Sequence, residues 1–144
     1  MKNLVFPENG GSLHEFTSQY HHESRALNLM SRDPTLVWFS NNLSPFPQHV
    51  TIKLKKKAKI HRVGVFVHGE NNQNPKQIKI AISNDDKKYT DIWETPVEKK
   101  SGDVLYTPKE PIEAEYIRYV VLENYGGSGV HISKVYAFGE FEDK

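Results

Sequence analysis

Residues 50–68 read VTIKLKKKAKIHRVGVFVH. On the left, Val50, Ile52 and Leu54 alternate with Thr51, Lys53 and Lys55, the period-two pattern of a strand with one buried face. On the right, Val63, Val65 and Val67 share one face, and Gly64 and Phe66 take the other. Between the halves lies Lys55-Lys56-Lys57-Ala58-Lys59. The stretch reads as two strands joined by a solvated basic hairpin, its lysines also guarding strand edges against aggregation. A contact with phosphates or an acidic partner surface is the alternative role for Lys55, Lys56 and Lys57.

The same period continues outward. Ile78, Ile80 and Ile82 alternate, and Asn84-Asp85-Asp86 supplies a turn after them. Tyr89 to Glu94 and Val104 to Thr107 are shorter strand candidates, Tyr116 to Glu123 is strongly β-branched and aromatic, and His131 to Phe141 closes the pattern. Seven or eight short strands with turn signals every 8 to 12 residues predict an all-β sandwich or barrel. Upstream the pattern fades. Leu4 to Phe6 reads as a short strand stopped by Pro7, and residues 8 to 35 show no sustained period, apart from a helical turn around Glu23 to Met30. Pairing of the N-terminal and C-terminal strands is expected. No repeat or linker divides the chain, so residues 1–144 are read as one domain.

Composition narrows the function classes. With 19 basic and 18 acidic residues the formal net charge is +1, which calls for neither nucleic acid nor an anionic membrane. The absence of cysteine favours a reducing compartment. The start MKNLVFPENGGS lacks the apolar stretch and cleavage site of a secretory signal, and no uncharged run reaches membrane-spanning length. The expectation is a cytoplasmic protein.

The constellations that carry chemistry are few. Gly126-Gly127-Ser128-Gly129 resembles a phosphate cradle, but Val130-His131-Ile132 follows where a Lys-Ser/Thr and a helix would be needed. It reads as a glycine-permitted hairpin turn between the last two long strands. His21-His22-Glu23 places adjacent side chains that point apart, and His14, His49, His61, His68 and His131 show no ligand spacing, so surface histidines are expected rather than zinc. No cysteine and no Gly-x-Ser-x-Gly elbow offers a nucleophile. Trp38 and Phe46 read first as core plugs. Tyr125, in a loop beside Asn124, is either a recognition residue or a buried loop aromatic.

Taken in order, several segments resemble the discoidin, or coagulation-factor type C, family of galactose-binding-like β-sandwiches. Ala26-Leu27-Asn28-Leu29 leading to Asp33-Pro34-Thr35 and Trp38-Phe39-Ser40 is similar to the family's Ala-x-Asn-Leu, acidic turn and Trp-x-Ser segment. Phe46-Pro47-Gln48 before a strand and Ile60-His61-Arg62-Val63 resemble the following section. Ile80-Ala81-Ile82-Ser83-Asn84-Asp85, Tyr116-Ile117-Arg118-Tyr119 and Ile132-Ser133-Lys134-Val135-Tyr136-Ala137-Phe138-Gly139 resemble the later strands.

The resemblance implies an antiparallel jelly-roll sandwich of about eight strands and a non-catalytic binding role. Lacking cysteine, the chain looks most like intracellular members that act as adaptors. This implies protein subunits of a large assembly as partners, most plausibly in a cilium, axoneme or intraflagellar transport, or on the cytoskeleton. The alternative is a carbohydrate- or lipid-binding lectin-like module. Binding is expected on the end loops, residues 31 to 47, 69 to 75 and 124 to 131, with Arg32, Trp38, Phe46, His68, Asn124, Tyr125 and Ser128 as candidates. No cofactor is implied beyond the structural calcium of some members, whose matching positions are Asp33, Thr35 and Glu140.

Overall fold

A computed structural model describes residues 1–33, 35–41, 43, 45–69 and 71–141, with the side chain of His22 also outside the description. The strands are β1 (Lys2–Asn3), β2 (Ser12–Phe16), β3 (Trp38–Phe39), β4 (Gln48–Val67), β5 (Pro75–Ser83), β6 (Thr90–Pro96), β7 (Gly102–Tyr106), β8 (Ile112–Asn124), β9 (His131–Ile132) and β10 (Lys134–Phe141). Among the described residues the only helices are short 3-10 turns at Pro7–Asn9, His22–Ser24 and Ala26–Met30, and none is long and apolar enough to cross a membrane. All strand pairs are antiparallel, so the expected all-β sandwich is the fold.

The lysine run is not a hairpin. β4 is one strand of 20 residues that passes straight through it. Nothing between Leu54 and Ala58 is a turn former, and both of those side chains are buried, so the run bends rather than reverses. The register on β8 shifts between Lys53 and Ala58, which marks a bulge there. Before the bulge β4 lies between β2 and β8, with Leu13↔Ile52 and Ile52↔Ile117 as partners. After it β4 keeps β8 on one edge over Ala58–Ile60 and then exchanges it for β7, with β10 on the other edge, so that Val65 has Val135 and Val104 as partners. One strand thus serves two layers, β2-β4-β8-β5-β6 and β1-β10-β4-β7, with Lys55, Lys56 and Lys57 exposed on the outer side of the corner.

The core between the layers is built from the alternating residues of these strands. Ile52, Ile60, Val65, Ile80, Ile117 and Val135 are essentially solvent-free. Tyr119 of β8 spans the two layers by donating its hydroxyl to the Tyr136 carbonyl of β10 at 2.7 Å.

Three further expectations are corrected. The N-terminal strand is Lys2–Asn3, paired with β10 through Lys2↔Gly139. Leu4 and Val5 instead turn into the core. β2 lies in the stretch that shows no period, because it is largely exposed along its length and so has no buried face to repeat. The glycine-rich segment is not a hairpin either. β8 and β10 do not pair with each other, and the segment carries the chain from one layer to the other.

The N-terminus is clamped by one amide. Asn3 is 5% exposed; its Nδ2 donates to Val135 O at 3.2 Å and its Oδ1 accepts from Ala137 N at 2.9 Å. Asn3→Ala strands both backbone groups in the core and is expected to cost about 1–3 kcal/mol. The measurement is urea denaturation, with a lower midpoint at an unchanged m-value. An unshifted midpoint would show that the clamp contributes nothing.

Acid sensitivity follows from two turns. Backbone N–H groups of Lys87 and Lys88 and the Ser83 hydroxyl hold the Asp85 carboxyl below the ordinary value in the β5–β6 turn. The Tyr89 hydroxyl and then His14 do the same for Asp86. The Thr35 hydroxyl and N–H do it for Asp33. A carboxyl depressed by folding stabilises above its unfolded value and ceases to as pH falls through the folded one. Stability is therefore expected to be flat above about pH 5 and to decline below about pH 4. Asp85→Asn should flatten that decline in chemical denaturation followed against pH.

Candidate functional site

The segment leading to β3 is drawn against the fold by backbone and side-chain bonds. The Trp38 indole N–H donates to Ser18 O at 2.8 Å. Tyr20 N donates to Phe39 O at 2.8 Å. Ser18 Oγ accepts from Asn41 N at 2.8 Å and donates to Gln48 Oε1 at 2.7 Å. Residues 18–20 are thereby tied to the β3 segment, with Tyr20 joined to Phe39 through the backbone.

On the far side, the loop after β8 is folded onto residues 72–73. Tyr125 N and Gly127 N both donate to Asn72 O at 3.0 Å, and His131 N donates to Gln73 O at 3.0 Å. Asn124 braces the loop, donating to the carbonyls of Gly127 and Gly129 at 3.0 and 2.6 Å. Gly126 serves a left-handed turn at φ 101°, whereas Gly127 and Gly129 are there for proximity. A Cβ on Gly127 would sit 2.6 Å from Gln73 Cγ, and one on Gly129 would sit 2.7 Å from Ser40 Oγ.

Between these walls lies a cleft of about 230 Å3 lined by Tyr20, His21, Ser24, Phe39, Ser40, Gln73 and Ser128. Tyr20 is 53% exposed and its ring packs on His21 at 4.7 Å. Behind the cleft the rings form a row. Phe39 stacks on the buried His131 at 4.5 Å, His131 on His68 at 5.6 Å, and His68 meets Phe66 edge-on at 5.2 Å. Among the described lining residues the only ionisable side chains are His21 and Tyr20, and His21 has Glu23 at 3.8 Å. The surface offered is a ring face ringed by hydroxyl and amide groups, without a fixed charge.

A wider groove of about 690 Å3 lies between the two chain ends, with Met1, Lys2, Glu8, Lys55, Glu140 and Phe141 in its walls. Its walls carry fixed charges of both signs, and it lacks the ring-and-hydroxyl surface of the smaller cleft.

The sequence candidates are dispersed by the fold. Ser128 lines the cleft, and His68 stands two rings behind its wall. Trp38 is 1% exposed, so it is the expected core plug and is corrected as a contact residue. Phe46 is 36% exposed and is not a core plug. Asn124 spends its amide on the glycine loop. Tyr125 donates its hydroxyl to Val97 O, and its ring lies between Lys76 and Lys99 rather than in the cleft. Arg32 pairs with Glu8 and covers the Phe6 ring at 4.3 Å. Lys55, Lys56 and Lys57 belong to the corner of β4.

The histidines are not uniformly at the surface. His14, His49 and His61 pair with Asp86, Glu15 and Glu140, whereas His131 is 7% exposed. Among the described residues no three His, Asp or Glu side chains converge on one point, and the His22 member of the zinc candidate lies outside the described residues.

The calcium set does not assemble. Lys134, at the start of β10, is the residue that neighbours Asp33 electrostatically. Glu140 lies six residues further along the same strand, about 20 Å at 3.3 Å per residue. It pairs there with His61.

The cleft residues that sequence reasoning missed are Tyr20, His21, Ser24, Phe39, Ser40 and Gln73. The available signal was Ser18-Gln19-Tyr20-His21-His22-Glu23-Ser24, a polar run with a central aromatic and no period.

Comparison with known proteins places this architecture. The F5/8 type C domain matches residues 12–135. No curated protein sequence is similar enough to the chain to count as a relative. Among solved structures, the fold is similar to a family 32 carbohydrate-binding module from Clostridium perfringens NanJ in complex with galactose, at 18% identity and a TM-score of 0.80, covering 92% of this chain and 96% of that one. It is also similar to chitosan-binding module 1 from a chitosanase/glucanase of Paenibacillus sp. IK-5, at 17% identity and a TM-score of 0.80, covering 96% and 100%. The C-terminal domain of a chitobiase from Bacteroides fragilis follows at 20% identity and a TM-score of 0.79, covering 92% and 95%.

Proposed function

The chain belongs to the F5/8 type C domain family, and from that membership we propose that it is a non-catalytic carbohydrate-binding module that takes a neutral sugar in the Tyr20–Gln73 cleft. The observation that carries the reading is the half-exposed Tyr20 ring facing a rim of Ser24, Ser40, Gln73 and Ser128. A pyranose has an apolar face of C–H groups and an equator of hydroxyls. It is met by a flat ring and by short neutral donors and acceptors. At about 230 Å3 the cleft is smaller than the roughly 300–1,000 Å3 of drug-sized pockets, which suits one sugar unit with the rest of a glycan outside.

The lack of Lys, Arg, Asp or Glu among the described lining residues favours a neutral sugar over a uronic acid or an amino sugar. It also leaves no carboxylate pair for glycosidic cleavage. Two of the similar structures named above are a galactose complex and a chitosan-binding module, which supports carbohydrate as the ligand; the first sugar is neutral and the second polymer is built of amino sugar, so the preference for a neutral sugar rests on the lining residues alone.

A second reading is contact with a protein, favoured by Leu43, which is 81% exposed and whose N–H donates to Ser128 O at the cleft rim. The ciliary form of that reading, with its axonemal or intraflagellar-transport partners, gains no support from the comparisons, whose named neighbours are carbohydrate-binding modules or chitobiase domains. The cytoplasmic placement likewise gains no support from the comparisons.

The test is a 15N-detected titration with galactose, N-acetylgalactosamine and N-acetylglucosamine beside a glycan array and an affinity pull-down. Shifts should centre on Tyr20, Ser40, Gln73 and Ser128, and Tyr20→Ala should weaken binding at least about tenfold, roughly 1.4 kcal/mol, with thermal stability unchanged. No sugar response on the array, together with a partner whose recovery depends on Leu43, would replace this reading with the second one.

A further inference from the structure

We propose that the ammonium of Lys134 is the structural cation of the segment running from Ser31 to Val37, and that it makes this fold independent of calcium. Family resemblance leads to a calcium held by Asp33, Thr35 and Glu140, and the arrangement of the chain does not fit one. Lys134 Nζ donates directly to the Ser31 carbonyl, the kind of oxygen a calcium ion would need. Asp33 Oδ1 accepts from both Thr35 N at 2.9 Å and Thr35 Oγ1 at 2.7 Å, so that carboxylate is turned onto its own loop. Glu140 belongs to the other end of β10.

Calcium takes six to eight oxygens at about 2.3–2.6 Å. Here it would meet an ammonium already seated on one of them, with the Arg32 guanidinium adding a second positive charge nearby. A Lys head needs only about three acceptors and brings its own charge. Half-burial pushes the Lys134 ammonium toward the neutral form, and the Asp33 carboxylate beside it pulls the other way.

The tether has a structural purpose. Ser133, the preceding residue, donates its hydroxyl to Leu36 O at 3.1 Å. Asn28 donates to Val37 O at 2.8 Å. Ser133 and Lys134 therefore hold two points of the segment that delivers Trp38 to the core and Phe39 to the cleft. The cation that fixes this approach is covalently part of β10, so it is present whatever the metal content of the medium.

The experiment needs no sugar, so its outcome is separate from the glycan-binding reading. Thermal unfolding of the wild-type chain is followed in millimolar calcium chloride and in excess EDTA, with calcium titrated by calorimetry. The wild type should unfold at the same temperature in both and show no calcium heat. Lys134→Met should unfold about 3–8 °C lower in both media, and the described amides between Ser31 and Val37 should exchange at least about tenfold faster.

A wild-type transition raised by several degrees in calcium, or saturable calcium binding to the wild type, overturns the proposal. So does a Lys134→Met chain with unchanged stability and exchange. Should that variant not fold, the wild-type calcium and EDTA comparison still decides the matter.

Discussion

The whole molecule hangs on one backbone constraint: β4 has only two edges, and the fold uses both of them twice. Its first half gives those edges to β2 and β8, and beyond the bulge one edge goes to β10 while the other stays with β8 over Ala58–Ile60 and then passes to β7. A straight strand could not do this, because the two layers would then lie in one plane and bury nothing. The bulge at Lys53–Ala58 supplies the bend. Apolar residues stay inward on both sides of it, and the lysines point outward, Lys55 along the groove beside the N-terminal segment and Lys56 toward the Phe141 ring. The basic run therefore has a structural explanation that needs no anionic partner.

That corner dictates where the chain must cross. With β8 in one layer and β10 in the other, the residues after Asn124 have to climb from the first sheet to the second. They do so against the loop that precedes β5. The climb is possible because Gly127 and Gly129 let backbone pass within contact distance of Gln73 and Ser40. The cleft is the space left on the outer side of this crossing, closed by residues 20–24 and by β3. Its floor is rigid for the same reason: Phe39 is paired to His131 in the β3–β9 ladder and stacked on its ring. A site held by strand pairing and ring stacking is preorganised and loses little side-chain entropy when occupied.

How far this was legible in the sequence depends on burial. Strands with one buried face, such as Val50 to Leu54 or Ile78 to Ile82, declare themselves, because burial imposes the period that can be read. β2 has almost no buried face, and so it left no trace. The hairpin expected at the lysines failed because a bulge has no composition signature as strong as that of a turn. Absence of Gly, Pro, Asn and Asp from Lys55–Lys59 was the clue. The cleft was the least legible part. Its residues come from four separate segments, and each is an ordinary Ser, His, Gln, Phe or Tyr whose meaning arises only from contact. The salient candidates, Trp38 and Asn124, stood out because they are structurally indispensable, one filling the core and the other satisfying two loop carbonyls.

The size and polarity of the cleft also bear on how a ligand there would be used. A hexose has about twelve non-hydrogen atoms. At about 0.3 kcal/mol for each, binding would reach roughly 4 kcal/mol, a dissociation constant near 1 mM. Neutral hydrogen bonds on an open rim add little beyond this, since each replaces one to water. Specificity in such a site comes from the position of a few hydroxyls against Ser24, Ser40, Gln73 and Ser128 rather than from strong attraction. Useful residence then requires several modules, or one module tethered near its target, so that effective concentration replaces affinity. A rigid cleft without a fixed charge that took a single sugar would suit that mode of action, and a tight one-to-one complex would instead have to extend over Leu43 and the neighbouring exposed surface.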